Sequence, residues 1–105
     1  MSPTQRSLAD LRARGYIART VEYWHAYSKH RIDLWGFDLA AAKPGEFLLV
    51  QVTTGTNHAA RRSKLAGLDS TPVLKQTPIK LLIHSWAKRG KGKVKRWELR
   101  EERLA

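Results

Sequence analysis

Asp33, Asp38, Gln51 and Thr53 interrupt otherwise apolar sequence, the last three near the two ends of 37-FDLAAAKPGEFLLVQVTT-54. A polar side chain on a buried sheet face is costly unless it is hydrogen-bonded or employed. A carboxylate and an amide oxygen held together suit a hard divalent cation such as Mg²⁺, which takes oxygen ligands and keeps several waters. Asp38 and Gln51 supply those two groups, the Val52 carbonyl lies at the same strand end, and Asp33 adds a second negative charge. The alternative is structural: Asp38 caps a turn or pairs with Arg31, while Gln51 and Thr53 bond to backbone.

Whether these groups meet depends on the elements that carry them. The stretch reads as two strands joined at Pro44-Gly45, and a symmetric hairpin pairs residues whose numbers sum to 89: Lys43 with Glu46, Asp38 with Gln51. Directly opposed residues have Cβ atoms roughly 4.5–5.5 Å apart, close enough to share one ion. Thr53 lies two residues beyond Gln51, on the same face. Upstream, Ser2-Pro3-Thr4-Gln5 matches a capping box for a helix that carries Leu8 and Leu11 and stops at Gly15. The run 16-YIARTVEYW-24 predicts one strand, with Ile17, Arg19, Val21 and Tyr23 on one face, and 25-HAYSKHRIDLWG-36 predicts a loop. Thr56 or Asn57 can cap a second helix through 58-HAARRSKLA-66, ending at Gly67. A loop with one helical turn is expected over 68–78, a buried strand over 79–86, a basic turn over 87–93 and a final strand over 94–104. The expected fold class is α/β: a single domain over 1–105 with a central mixed sheet flanked by helices, in the order α-β-β-β-α-β-β.

With Gly36-Phe37-Asp38 opening one strand and Gln51-Val52-Thr53 closing the next, this order resembles the PD-(D/E)XK nuclease superfamily, the restriction-endonuclease-like fold. It looks most like the small members of the Holliday-junction-resolvase type. The likeness spans nearly the whole chain as topology, and its sequence content lies between residues 31 and 64. The resemblance implies Mg²⁺- or Mn²⁺-dependent hydrolysis of DNA phosphodiesters, with Asp38 as the motif Asp and Gln51 at the acidic position, an exchange some members tolerate. Phe37 stands where the family often has Pro, and Thr53 stands where it keeps a Lys. That Lys polarises the nucleophile or steadies charge on the phosphate, so another cation must take its place if catalysis survives. Asn57, Arg61 and Lys64 share one face of the second helix, and Arg61 or Lys64 is the expected replacement, since some relatives carry the Lys on this helix. The bland reading of that face is a solvated helix that touches phosphates only.

Composition points the same way. The 105 residues carry 20 Lys and Arg against nine Asp and Glu, a formal charge of +11, and such a balance favours a polyanionic partner, here DNA. Arg62 and the turn residues Lys88, Arg89, Lys91 and Lys93 are expected to contact phosphates, together with Asn57, Arg61 and Lys64. Trp24, Tyr27 and Trp35 could stack on unpaired bases, or pack in the core. Glu22 is a further acidic candidate or an ion-pair partner of Arg19 or Lys29. With no cysteine, disulfides and thiolate zinc sites are excluded; no membrane span is expected, and a cytoplasmic location fits. The histidines form no zinc pair and show no Ser or Cys partner in sequence, leaving His25 or His30 as a general base to test. Two functions remain open: an endonuclease selective for branched or single-stranded DNA, and an inactive nucleic-acid-binding module on the same fold. A homodimer is expected of an enzyme that cuts two strands.

Overall fold

The N-cap half of the expected capping box forms: in the computed structural model, which describes residues 1–105, Ser2 Oγ accepts from Gln5 N at 3.1 Å. With Pro3 at its first position, helix α1 runs Pro3–Ala13 and buries Leu8 and Leu11, and Gly15 (φ +92°) reverses the chain after it. The strands follow as β1 (Ile17–Thr20), β2 (Tyr23–His25), β3 (His30–Ile32), β4 (Leu39–Lys43) and β5 (Glu46–Thr54). A 3₁₀ turn (Gly55–Asn57) then leads into α2 (His58–Ala66), the short α3 (Ser70–Leu74), and strands β6 (Lys80–Arg89) and β7 (Arg96–Arg103).

The single strand expected over 16–24 is two strands. Past Thr20 the Val21 N–H donates to the Asp38 carbonyl at 2.8 Å, and the chain then leaves the main sheet. β2 pairs instead with β3 as a separate antiparallel ribbon, so the loop expected over 25–36 contains a strand. The five-stranded sheet has the order β1-β4-β5-β6-β7, antiparallel except for the parallel pair β5/β6. That parallel pair requires a crossover, which α2 and α3 provide.

The β4/β5 hairpin keeps the expected register, from Lys43↔Glu46 to Leu39↔Val50, around Gly45 at φ +79°. Alternation along β5 then sends Leu48, Val50 and Val52 to the α1 face and Leu49, Gln51 and Thr53 to the α2 face. Each face has its own core. Leu8 and Leu11 pack with Val50, Leu82 and Trp86 on one side, and Leu65 packs with Phe37, Leu49, Leu81 and Ile83 on the other. Gly36 lets α2 close down on the turn before the hairpin: a Cβ there would meet Leu65 and Leu68 at 2.7 and 2.8 Å, and its φ is +88°. The result is a mixed α/β sheet with helices on both faces, and no helix is long and apolar enough to cross a membrane.

Candidate functional site

Asp38 lies in a bend just before β4, alongside the carboxyl end of β5, because β4 runs antiparallel to β5. Its backbone N–H donates to the Val50 carbonyl at 2.9 Å, which extends the hairpin ladder by one residue and fixes the carboxylate against β5. Asp38 Oδ2 accepts from Gln51 Nε2 at 2.9 Å and from Val52 N at 2.9 Å. The same Gln51 Nε2 donates to the Val52 carbonyl at 3.1 Å. Both acceptors require a donor, which assigns the amide nitrogen rather than its oxygen to this position. Thus a carboxylate oxygen and a backbone carbonyl converge on one electropositive group. The predicted facing of Asp38 and Gln51 is observed, and Gln51 also makes the backbone bond considered as its structural role.

Electrostatics disfavour the charged form of Asp38. Burial pushes its pKa up to about 6; the Val52 N–H bond opposes this, the negative charges of Glu22 and Asp33 add to it, and Arg61 opposes it. Glu22 and Asp33 are themselves engaged. Glu22 accepts from Arg31 at 3.2 Å, rather than from Arg19 or Lys29, and Asp33 Oδ1 accepts the Gly36 N–H at 3.0 Å. No group of three or more His, Asp or Glu side chains is arranged to hold a metal ion. A cation here would therefore rest on a mixed set: the Asp38 carboxylate, the Val52 carbonyl and, after rotation of its amide, Gln51 Oε1. That set fits Mg²⁺, which accepts one carboxylate with neutral oxygens and waters.

The second helix begins just past this site. Arg61 is half-buried and its charge reaches Asp38, whereas Lys64 is exposed and Arg62 bonds Glu102 with its guanidinium at 3.3 Å. Of the two cations expected to stand in for the Lys that Thr53 displaces in the resemblance, Arg61 is the one whose charge acts on the carboxylate. Asn57 holds the N-cap position, yet its side chain donates back to Thr54 Oγ1 at 3.1 Å instead of capping α2. Thr53 is buried beside Ser85 of β6, on the same face as Gln51. The basic turn expected over 87–93 is shorter, because β6 runs on through Lys88 and Arg89, paired with Trp97 and Arg96. The turn itself carries Lys91 and Lys93, and all four cations are exposed beyond the last parallel rung, Thr54↔Trp86. In open α/β sheets, ligands bind at that end of parallel strands. Of these four cations, Arg89 approaches a carboxylate, Glu98, at 3.9 Å.

Two histidines have partners that sequence reading does not find. His58 is buried, with Nδ1 2.6 Å from Ser85 Oγ and Nε2 3.0 Å from Glu102 Oε1. His84 repeats the pattern on the opposite sheet face, with Nδ1 2.9 Å from Ser7 Oγ and Nε2 2.7 Å from Glu101 Oε2. Trp86 Nε1–H donates to the same Ser7 hydroxyl at 2.8 Å. Since the carboxylate accepts from Nε2–H, the Ser7 hydroxyl donates to Nδ1, and every polar atom of this buried chain is satisfied. Ser7 and Ser85 are buried, and these Ser-His-Glu sets tie α1 and α2 to strands β6 and β7. The signal that could have revealed them is two small polar residues, Ser7 on α1 and Ser85 on β6, lying at core positions. His25 Nδ1 accepts from Ser28 N at 3.1 Å and so fixes the ribbon turn. Comparison with models of protein families, with curated proteins and with solved structures found no match to this chain.

Proposed function

We propose that this chain is a Mg²⁺- or Mn²⁺-dependent phosphodiesterase that cuts DNA, a small member of the PD-(D/E)XK nuclease type that its D…QxT pattern resembles. The observation that carries the reading is the single point on which Asp38 Oδ2 and the Val52 carbonyl converge through Gln51 Nε2. A divalent cation, when bound, supplies Lewis acidity toward phosphate and lowers the pKa of water. The chain's own residues then have defined tasks. Asp38 and the Val52 carbonyl offer oxygens, the Gln51 amide turns to present Oε1, and Arg61 places a positive charge where negative charge grows on the phosphate. Lys88, Lys91 and Lys93 hold the flanking phosphates at the same end of the sheet.

The test is incubation with branched, single-stranded and duplex DNA in Mg²⁺ or Mn²⁺. Cleavage is expected, and it disappears in Asp38→Ala; cutting that survives this change overturns the assignment. A second reading is favoured by Thr53, which occupies the place of the motif Lys: a binding module that keeps the basic surface without hydrolysis. Binding with a steep salt dependence, and no cutting of any substrate, supports that reading instead.

A further inference from the structure

The β2/β3 ribbon stands off the main sheet and exposes large aromatic side chains that a core would normally absorb. Trp24 is 60% exposed, Tyr27 at the ribbon tip 96%, and Trp35, just past the ribbon, 50%. A lone two-stranded ribbon is marginal in water, so aromatics left outside the core contribute little to holding it. Trp35 is also held against its backbone preference. It has φ +53°, followed by Gly36 at +88°, in a two-residue turn closed by reciprocal Leu34 and Phe37 backbone bonds of 3.1 and 2.9 Å. Asn, Asp or Gly suits that position, and a bulky residue at positive φ is an outlier that marks function more often than stability.

Position and charge say what these rings meet. The ribbon is rooted at both ends beside the candidate site: the Val21 N–H bonds the Asp38 carbonyl at 2.8 Å just before Glu22 and β2, and after β3 and Asp33 the chain is tied from Leu34 to Phe37, the neighbour of Asp38, by bonds of 3.1 and 2.9 Å. Trp24 and Trp35 each lie two residues beyond one of those carboxylates, a reach of at most roughly 7 Å of chain. Residues 23–32 contain Lys29, Arg31, His25 and His30 and no acid. Trp24 pairs in register with Arg31, so the two residues share one ribbon face, and Glu22 accepts from the Arg31 guanidinium at 3.2 Å. Aromatic rings interleaved with cations are what a nucleotide strand requires: phosphates take the charge, and unpaired bases take the π-faces. A fully paired duplex offers no free base face.

We propose that Trp24 and Trp35, with Tyr27 at the ribbon tip, form a base-stacking platform that binds unpaired nucleotides of a DNA strand next to the phosphate held at Asp38. This rests on the DNA reading above and narrows its substrate to single strands and to branch points with splayed bases. The ribbon strands, three residues each, span roughly 10 Å, the length of two to three stacked nucleotides.

The experiment is fluorescence anisotropy of labelled DNA in EDTA, where no cutting occurs, with a single strand, a branched duplex and a fully paired duplex of equal length. The variants are Trp24→Ala, Trp24→Phe and Trp35→Asn, the last chosen because Asn is at home at positive φ and preserves the turn. The Trp24→Ala and Trp35→Asn combination is expected to weaken single-strand and branched binding by roughly 10- to 100-fold. Duplex affinity stays within about twofold, and Trp24→Phe retains most of the single-strand affinity. Equal loss on all three substrates, no loss on any, or a change of oligomeric state in place of DNA affinity overturns the platform. Selective loss in a protein that never cuts DNA in Mg²⁺ supports the platform while the hydrolytic reading falls. No binding of any DNA by the unaltered chain overturns both.

Discussion

Asp38 holds its proton to about pH 6 because burial and two neighbouring acids disfavour its charged form, and that has a consequence for stability. In the unfolded chain the group titrates near 3.8, so the folded state binds more protons between those values, and stability falls as pH rises through them. The expected result is that metal-free Asp38→Asn melts higher than the unaltered protein at about pH 8, by roughly 1 kcal/mol or several degrees after allowance for solvent screening, and equally at about pH 4. Equal melting at both values would show that Asp38 is an ordinary carboxylate. Arg61 and Lys64 separate by the same logic. Arg61→Ala is expected to lower the cleavage rate by about 100-fold, and Lys64→Ala by less than about tenfold, in single-turnover kinetics. The meeting of Asp38 with Gln51 was legible in sequence because Pro44-Gly45 fixes the turn and alternation does the rest. The donor role of the Gln51 amide was not, since it depends on atoms and not on register.

Helices α1 and α2 are fixed to the sheet by the two buried histidines as well as by their leucines. Removing the Ser7 hydroxyl leaves the Trp86 N–H and His84 Nδ1 without a partner in the core, so Ser7→Ala is expected to cost about 2–3 kcal/mol in urea unfolding despite its small size. A cost below about 0.5 kcal/mol would show that water replaces the hydroxyl. Burial lowers the His84 pKa against the opposing pull of Glu101. Glu101 is pushed up by burial, yet bonds from Arg14 and His84 hold it below its ordinary range. A histidine with a lowered folded pKa stabilises fully above about pH 6.5 and loses that contribution as pH falls below it. The melting temperature is therefore expected to drop on acidification below about pH 6.5, with a shallower drop in His84→Gln. The Ser2 N-cap, the hairpin and the crossover helix were readable from spacing. The histidine partners were not, because they lie 27 and 77 residues away in sequence. The break after Thr20 was hidden too: 16–24 has strand propensity throughout, and what divides it is the pairing of β2 with β3 in a separate ribbon.

Across the whole molecule a charge of +11 is distributed so that the turn after β6 and the start of α2 lie at one end of the parallel strand pair. Composition revealed the class of partner expected, but not its form, because phosphate contacts are blind to base pairing. If the turn contacts phosphate, replacing Lys91 and Lys93 by Ala lowers the log–log salt slope of duplex binding by roughly 2, and an unchanged slope removes the turn from the interface. The central claim is that Asp38, Gln51 and the Val52 carbonyl are the walls of one divalent-cation site. Titrating Mn²⁺ into labelled protein and following amide broadening by NMR tests this most directly. The account predicts that the Asp38 and Val52 amides broaden first in the unaltered chain and that this early broadening is absent in Asp38→Ala. Broadening centred elsewhere, or unchanged by the substitution, would contradict it.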